Sequence, residues 1–146
     1  MALSLSRVLL ALLFVVLGYA DVFGFSGASM QTWIAFAKTK LIIPGTMDPL
    51  PNPELLAQIA AYGQLVGGLM LYFGILSRLA AFGVLLFTIA ASVLGHNFWT
   101  MTDPQMVYVN IGQFLKNMGI IGGLFLIVAY GGGSVGIDGM FRRQPM

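Results

Sequence analysis

The sequence predicts an all-α integral membrane protein: a four-helix bundle with a partly helical outer loop between its first two spans. Three observations carry that prediction. Of 146 residues, 58% are hydrophobic, with 19 glycines besides. Only seven are Lys or Arg and five Asp or Glu, and the mean hydropathy is +0.90. A soluble domain has about a quarter of its residues charged and leaves a large share of its surface facing water. So few charges cannot cover such a surface, so the chain reads as one transmembrane domain over residues 1–146, with residues 22–53 an extracytoplasmic or interfacial loop.

The spans follow from length. Crossing about 30 Å of hydrocarbon at 1.5 Å per residue takes roughly 20 apolar residues. The first span runs from about Leu5 to Ala20, the second from about Leu55 to Ser77, the third from about Leu79 to Asn97, and the fourth is built around residues 111–130. The N-terminus has the basic flank and apolar core of a signal peptide, but further spans follow, so it reads as a retained helix. That first span is short unless it continues past Asp21 or Arg7 snorkels toward a headgroup. Only Ser77 and Arg78 separate the second and third spans, which makes these antiparallel neighbours joined by a tight turn. From Asn117 to Tyr130 there are 14 residues, worth about 21 Å. The fourth span therefore recruits the preceding "NIGQFLK", and Lys116 falls within the outer half of the membrane.

Between the first two spans, Trp33, Ile34, Phe36, Ala37, Leu41 and Ile42 recur at roughly helical spacing, followed by the turn-rich "PGTMDPLPNPE". An interfacial or re-entrant helix on the outer side is expected there. Asn52 is placed to cap the second helix, with Pro53 at its first position and Glu54 in its first turn, where the helix dipole favours an acid.

Charge sets the orientation. With four spans, Arg7, Arg78, Arg142 and Arg143 share one side, while Lys38 and Lys40 on the other are offset by Asp21, Asp48, Glu54 and Asp103. The positive-inside rule puts both termini in the cytoplasm. Expected partners are membrane lipids and either other integral subunits or further copies of the chain. A net charge of +2 without an extended basic run gives no reason to expect nucleic acid. With no cysteine, the chain has no disulfide, thiolate cluster or thiol nucleophile, so any redox work must use a borrowed cofactor or partner.

Few residues are left to carry chemistry. His96 in "GHNFW" closes the third span. It reads either as an interfacial residue in an aromatic belt with Phe98 and Trp99, or as an imidazole that bonds a quinone or shuttles a proton. A lone His makes no metal site, and no metal is expected. Lys116 reads either as a snorkelling cation or, with Gln113 and Asn117 beside it, as part of a polar pocket. Asp21 and Gln64 fall in the same outer half, so four helices bring polar groups to one depth. His96, Asn97, Lys116, Asn117, Gln64 and Asp21 form the candidate quinone or polar pocket. Gly63 with Gly67, and Gly119 with Gly123, are GxxxG pairs expected to make bundle or oligomer contacts.

Together, "RVLLALLFVVLGYAD", "GQLVGGLMLYFGILSRLAA", "HNFW" and "FLKNMGIIGGLFLIVAYGGGSVGID" resemble, in order and spacing, the DoxX family of small four-helix membrane proteins. The likeness covers nearly the whole chain except the outer loop from about Ser26 to Met47. Arg7, Gly18, Gly67, Gly68, Gly74, Arg78, His96, Asn97, Phe98, Lys116, Asn117, Gly122, Gly123 and Asp138 match the family pattern. Two positions depart from it: the family commonly has Lys where Asp21 stands and Glu where Gln64 stands. The expected ion pair between the first two helices is thus absent, and Asp21 is inferred to pair with Lys116 instead.

The resemblance implies an accessory membrane subunit of a redox or electron-transfer complex, acting in assembly, stabilisation or quinone access. A quinone-linked subunit of the thiosulfate:quinone oxidoreductase type is the alternative. A small-solute carrier is disfavoured by the short chain and the lack of an inverted repeat. No self-contained catalytic constellation is evident, and quinone is the one cofactor considered.

Overall fold

A computed structural model of the chain describes residues 1–24, 34 and 51–142, with Pro53, Phe141 and Arg142 described by their backbone alone. The expected interfacial helix, Lys38, Lys40, Asp48 and Arg143 lie outside the described residues. Four apolar helices are long enough to cross a membrane: α1 (Ala2–Phe23), α2 (Pro53–Phe73), α3 (Ser77–Gly95) and α4 (Pro104–Tyr130). A 3₁₀ turn, Phe98–Thr100, follows α3, and a short α5 (Ile137–Arg142) follows α4. No strand occurs among the described residues. Leu5, Leu9, Leu79, Leu115 and Phe125 are each at least 60% exposed, the outward apolar surface that a lipid environment requires.

Helix ends are set locally. α1 has 22 residues, about 33 Å, so it crosses by continuing past Asp21, and Arg7 does not snorkel; its side chain is buried inside the bundle. α2 stops at Gly74, whose left-handed backbone lets Gly74 N–H and Ile75 N–H donate to Leu71 O and Met70 O, a Schellman arrangement. The α2–α3 turn is therefore Gly74–Leu76, and Ser77 and Arg78 belong to the first turn of α3 rather than to the loop. Asn52 takes the N-cap position of α2 with Pro53 next, but its side chain makes no capping bond. Asp103, which the sequence reading passed over, caps α4 by accepting from Gln105 N–H at 2.9 Å.

The helices run up, down, up and down. Gly18 lies against the Leu65 backbone and Gly68 against Val15 and Phe14, so α1 and α2 are antiparallel at close approach. Gly67 meets Val84 of α3, and Gly123 of α4 meets Leu10 of α1. The apolar core is Ala11 and Phe14 of α1, Leu71 of α2, Ala81, Val84 and Leu85 of α3, and Leu124 and Ile127 of α4.

The four glycines of the two GxxxG pairs divide between two environments. Gly67 and Gly123 make bundle contacts, whereas a side chain at Gly63 or Gly119 would meet nothing within 4 Å among the described residues. The close backbone contact belongs to Gly18 and Gly68, which stand on different helices and so form no local motif.

Candidate functional site

Polar side chains gather in three places. At the outer end of the α1–α2 seam, Gln64 Nε2 donates to Asp21 Oδ2 at 3.1 Å. The sequence placed these two residues at one depth, and the structure brings them into contact. The pair replaces the inferred Asp21–Lys116 ion pair. Lys116 instead donates to Gln113 Oε1, one turn away on its own helix, and is exposed. The reason is packing: Gly18 draws α1 onto α2, which brings Asp21 to Gln64, while α1 touches α4 far less.

The α3–α4 seam holds the second group. Thr88 Oγ1 donates to Val84 O and Ser92 Oγ to Thr88 O, and Asn117 Nδ2 donates to Ser92 Oγ at 3.0 Å. One turn further out, His96 Nδ1 is 3.1 Å from Asn110 Oδ1. The Asn110 amide nitrogen donates to Met106 O at 2.9 Å, so its oxygen faces the imidazole. A carbonyl oxygen only accepts, so Nδ1 carries the proton, and in the neutral ring Nε2 is an acceptor. Beside His96 in the chain, Phe98 and Trp99 form an edge-to-face cluster with Phe114, with ring centroids 5.1–6.0 Å apart. Asn97 contributes its carbonyl oxygen, which accepts from Thr100.

The third group lies at the inner end. Arg7 and Ser77 are 2% and 1% exposed, and Arg7 Nε and Ser77 Oγ are buried without a hydrogen-bond partner. Asp138 attracts the Arg7 guanidinium electrostatically. Glycines allow this fit: a side chain at Gly74, Gly132 or Gly136 would strike Arg7. Ser4 Oγ accepts from Val135 N–H, and Arg78 Nη2 donates to Ala129 O at 3.1 Å, a cation at the C-terminal end of α4 where the helix dipole favours one.

The candidate pocket is therefore not one cluster. Asp21 with Gln64 and His96 with Asn117 fall on two different seams, and Lys116 stands apart from both. Ser92, Thr88 and Asn110 were missed by sequence reading, although Thr88, Ser92 and His96 recur every four residues and mark one face of α3. Among the described residues, no group of three His, Asp or Glu could hold a metal ion.

Comparison with known proteins agrees with this architecture. The DoxX family model matches residues 2–97. The chain belongs to the DoxX family. The SURF4 family model matches residues 54–143, so over α2 to α5 this DoxX chain belongs to that family as well. Among curated proteins, it is 26% identical over 136 residues to Inner membrane protein YphA of Escherichia coli (strain K12), covering 93% of the chain and 87% of the relative. It is 27% identical over 139 residues to Inner membrane protein YqjF of the same organism, covering 95% and 91%. No solved structure matches it. With four apolar spans and these relatives, this DoxX protein is a multi-pass inner membrane protein.

Proposed function

We propose that this DoxX protein is an accessory integral subunit of a membrane redox or electron-transfer complex, and that it serves quinone access at the outer end of the α3–α4 seam. The observation that carries the reading is the His96–Asn110 bond. By fixing the proton on Nδ1, Asn110 leaves Nε2 as an acceptor for a quinol hydroxyl, and the neighbouring Phe98, Trp99 and Phe114 offer flat apolar surfaces to a ring. The donor set fits such a head group, since a quinol needs an acceptor and an apolar wall rather than a metal ligand. The chain has no thiol, so electrons must be exchanged with a centre on another subunit. The redox context itself comes from the family resemblance.

The reading is tested in nanodiscs by quenching of Trp99 fluorescence with a soluble menaquinone analogue, in a Trp33→Phe background. Saturable quenching that weakens in His96→Leu and Asn110→Leu supports it. Unchanged binding in both variants overturns it. Mild-detergent purification from native membranes supplies the second arm: a co-purifying chain with a flavin, haem or iron–sulfur spectrum is expected, and recovery of the lone protein argues against the subunit role.

A further inference from the structure

The inner end of the bundle has the parts of an anion receptor, and the chain's own Asp138 occupies it. The Asp138 carboxylate accepts from Leu76 N–H at 2.9 Å and from Ser77 N–H at 2.7 Å, the amides at the start of α3. α3 has 19 residues, so its N-terminus carries a partial positive charge that draws anions. Arg7 adds a full charge: it is 2% exposed, and Asp138 attracts its guanidinium. That guanidinium lies beside the same turn, since a side chain at Gly74 or Gly136 would strike Arg7 Nη1, and Gly74 O accepts from Asp138 N–H at 2.8 Å.

The receptor offers more donors than one carboxylate engages. Arg7 Nε and Ser77 Oγ are buried with no hydrogen-bond partner, and they flank a single point: a Cβ on Gly132 would lie 2.5 Å from Ser77 Oγ and 2.9 Å from Arg7 Cδ. A buried donor left unpaired bears its full desolvation cost. Each oxygen of Asp138 already accepts from an α3 amide, whereas a phosphate group brings a third acceptor oxygen and more negative charge. The segment that carries Asp138 is also built to lift. Gly133 and Gly136 have φ of 85° and 141°, backbone freedom that glycine supplies, and between them Val135 N–H is tied to Ser4 Oγ by a long bond of 3.2 Å.

We propose that this inner-end receptor takes a phosphate group from the cytoplasmic side, and that Asp138 is its tethered competitor. An entering phosphate displaces the carboxylate, accepts from Leu76 N–H, Ser77 N–H, Ser77 Oγ and Arg7, and releases residues 131–138 from the bundle. Tethering gives Asp138 an effective concentration of roughly millimolar, so the ligand wins by engaging the donors that the carboxylate leaves unpaired. The displaced Asp138 is hydrated in the cytosol. None of the groups around His96 takes part, so the assignment stands independently of the quinone reading.

Titration calorimetry of the full chain in lipid-free detergent micelles, with inorganic phosphate replacing chloride at constant ionic strength, tests the proposal. Saturable binding is expected. Asp138→Ala removes the competitor and should bind phosphate on the order of tenfold more tightly, even though it weakens the fold; a purely structural Asp138 would give equal or poorer binding. Ser77→Ala should bind on the order of tenfold more weakly, the loss of one hydrogen bond to a charged group. A spin label on Ser134→Cys reads the loop, and its mobility should rise as phosphate is added to the otherwise unaltered chain. If Asp138→Ala fails to fold, Ser77→Ala and the spin label decide. Repeating the titration with dihexanoyl phosphatidic acid separates the sources: tighter binding of the lipid assigns an inner-leaflet headgroup, and tighter binding of inorganic phosphate assigns a free cytosolic anion. No saturable binding of either, binding by Asp138→Ala no tighter than by the unaltered chain, or undiminished binding by Ser77→Ala overturns the proposal. So does a spin-label spectrum that phosphate leaves unchanged.

Discussion

The Asp138 carboxylate accepts hydrogen bonds from the backbone N–H of Ser77 at 2.7 Å and of Leu76 at 2.9 Å. One side chain near the C-terminus thereby caps the start of α3, more than sixty residues away in sequence, and the Asp138 N–H returns a bond to Gly74 O at 2.8 Å. Leu76 has φ 45°, a left-handed conformation that costs a non-glycine residue about 1–2 kcal/mol. The clamp holds that strained turn. Asp138→Ala should destabilise the protein by about 1–2 kcal/mol, and Asp138→Asn, which keeps one accepting oxygen, by less. Thermal unfolding in detergent followed by circular dichroism measures both.

The α1–α2 contact depends on the absence of a side chain. A Cβ at Gly18 would lie 2.6 Å from Leu65 N, backbone that can yield only if the helices separate. Gly18→Ala should cost about 1–3 kcal/mol. Gly63→Ala, which meets nothing within 4 Å among the described residues, should be neutral or stabilise by up to about 1 kcal/mol through helix propensity. Equal effects in a denaturant titration would contradict the assigned packing.

Asn117 donates to Ser92 across the α3–α4 seam. Interhelical bonds of this kind are worth about 0.6–2 kcal/mol in a bilayer. A double-mutant cycle with Asn117→Ala and Ser92→Ala should return a coupling in that range, and a cycle with Lys116→Ala and Asp21→Ala should return almost none within a single chain.

Sidedness follows from the alternating helix directions. Thr102 and Ser134 are exposed at opposite ends of the bundle, and the chain has no native cysteine. Thr102→Cys should react with an impermeant maleimide added outside spheroplasts, and Ser134→Cys only after permeabilisation. Labelling of both from one side would refute the arrangement.

Much of the fold was legible because membrane spanning is a local property. A stretch of apolar residues long enough to cross the hydrocarbon declares itself, although its ends at Gly74 and Pro104 came only from the structure. The depth of Asp21, Gln64, His96 and Lys116 was legible for the same reason, since 1.5 Å per residue converts position to height. Their partners were not. Each residue turns the helix by about 100°, so which groups meet depends on how every helix is rotated and how near its neighbours come.

The sequence by itself determined the number of spans, their alternating order, their orientation by the positive-inside rule and the level of each polar group. Only the tertiary structure decided that Asp21 meets Gln64 rather than Lys116, that His96 is oriented by Asn110, and that Arg7 turns into the bundle under a glycine-rich loop instead of toward lipid headgroups. Those outcomes rest on close packing between segments distant in sequence, above all Gly18 on Leu65 and Gly132 and Gly136 on Arg7. The burial of a charge and the choice of its partner are properties of the space that several helices enclose together, and no single stretch of sequence contains that space.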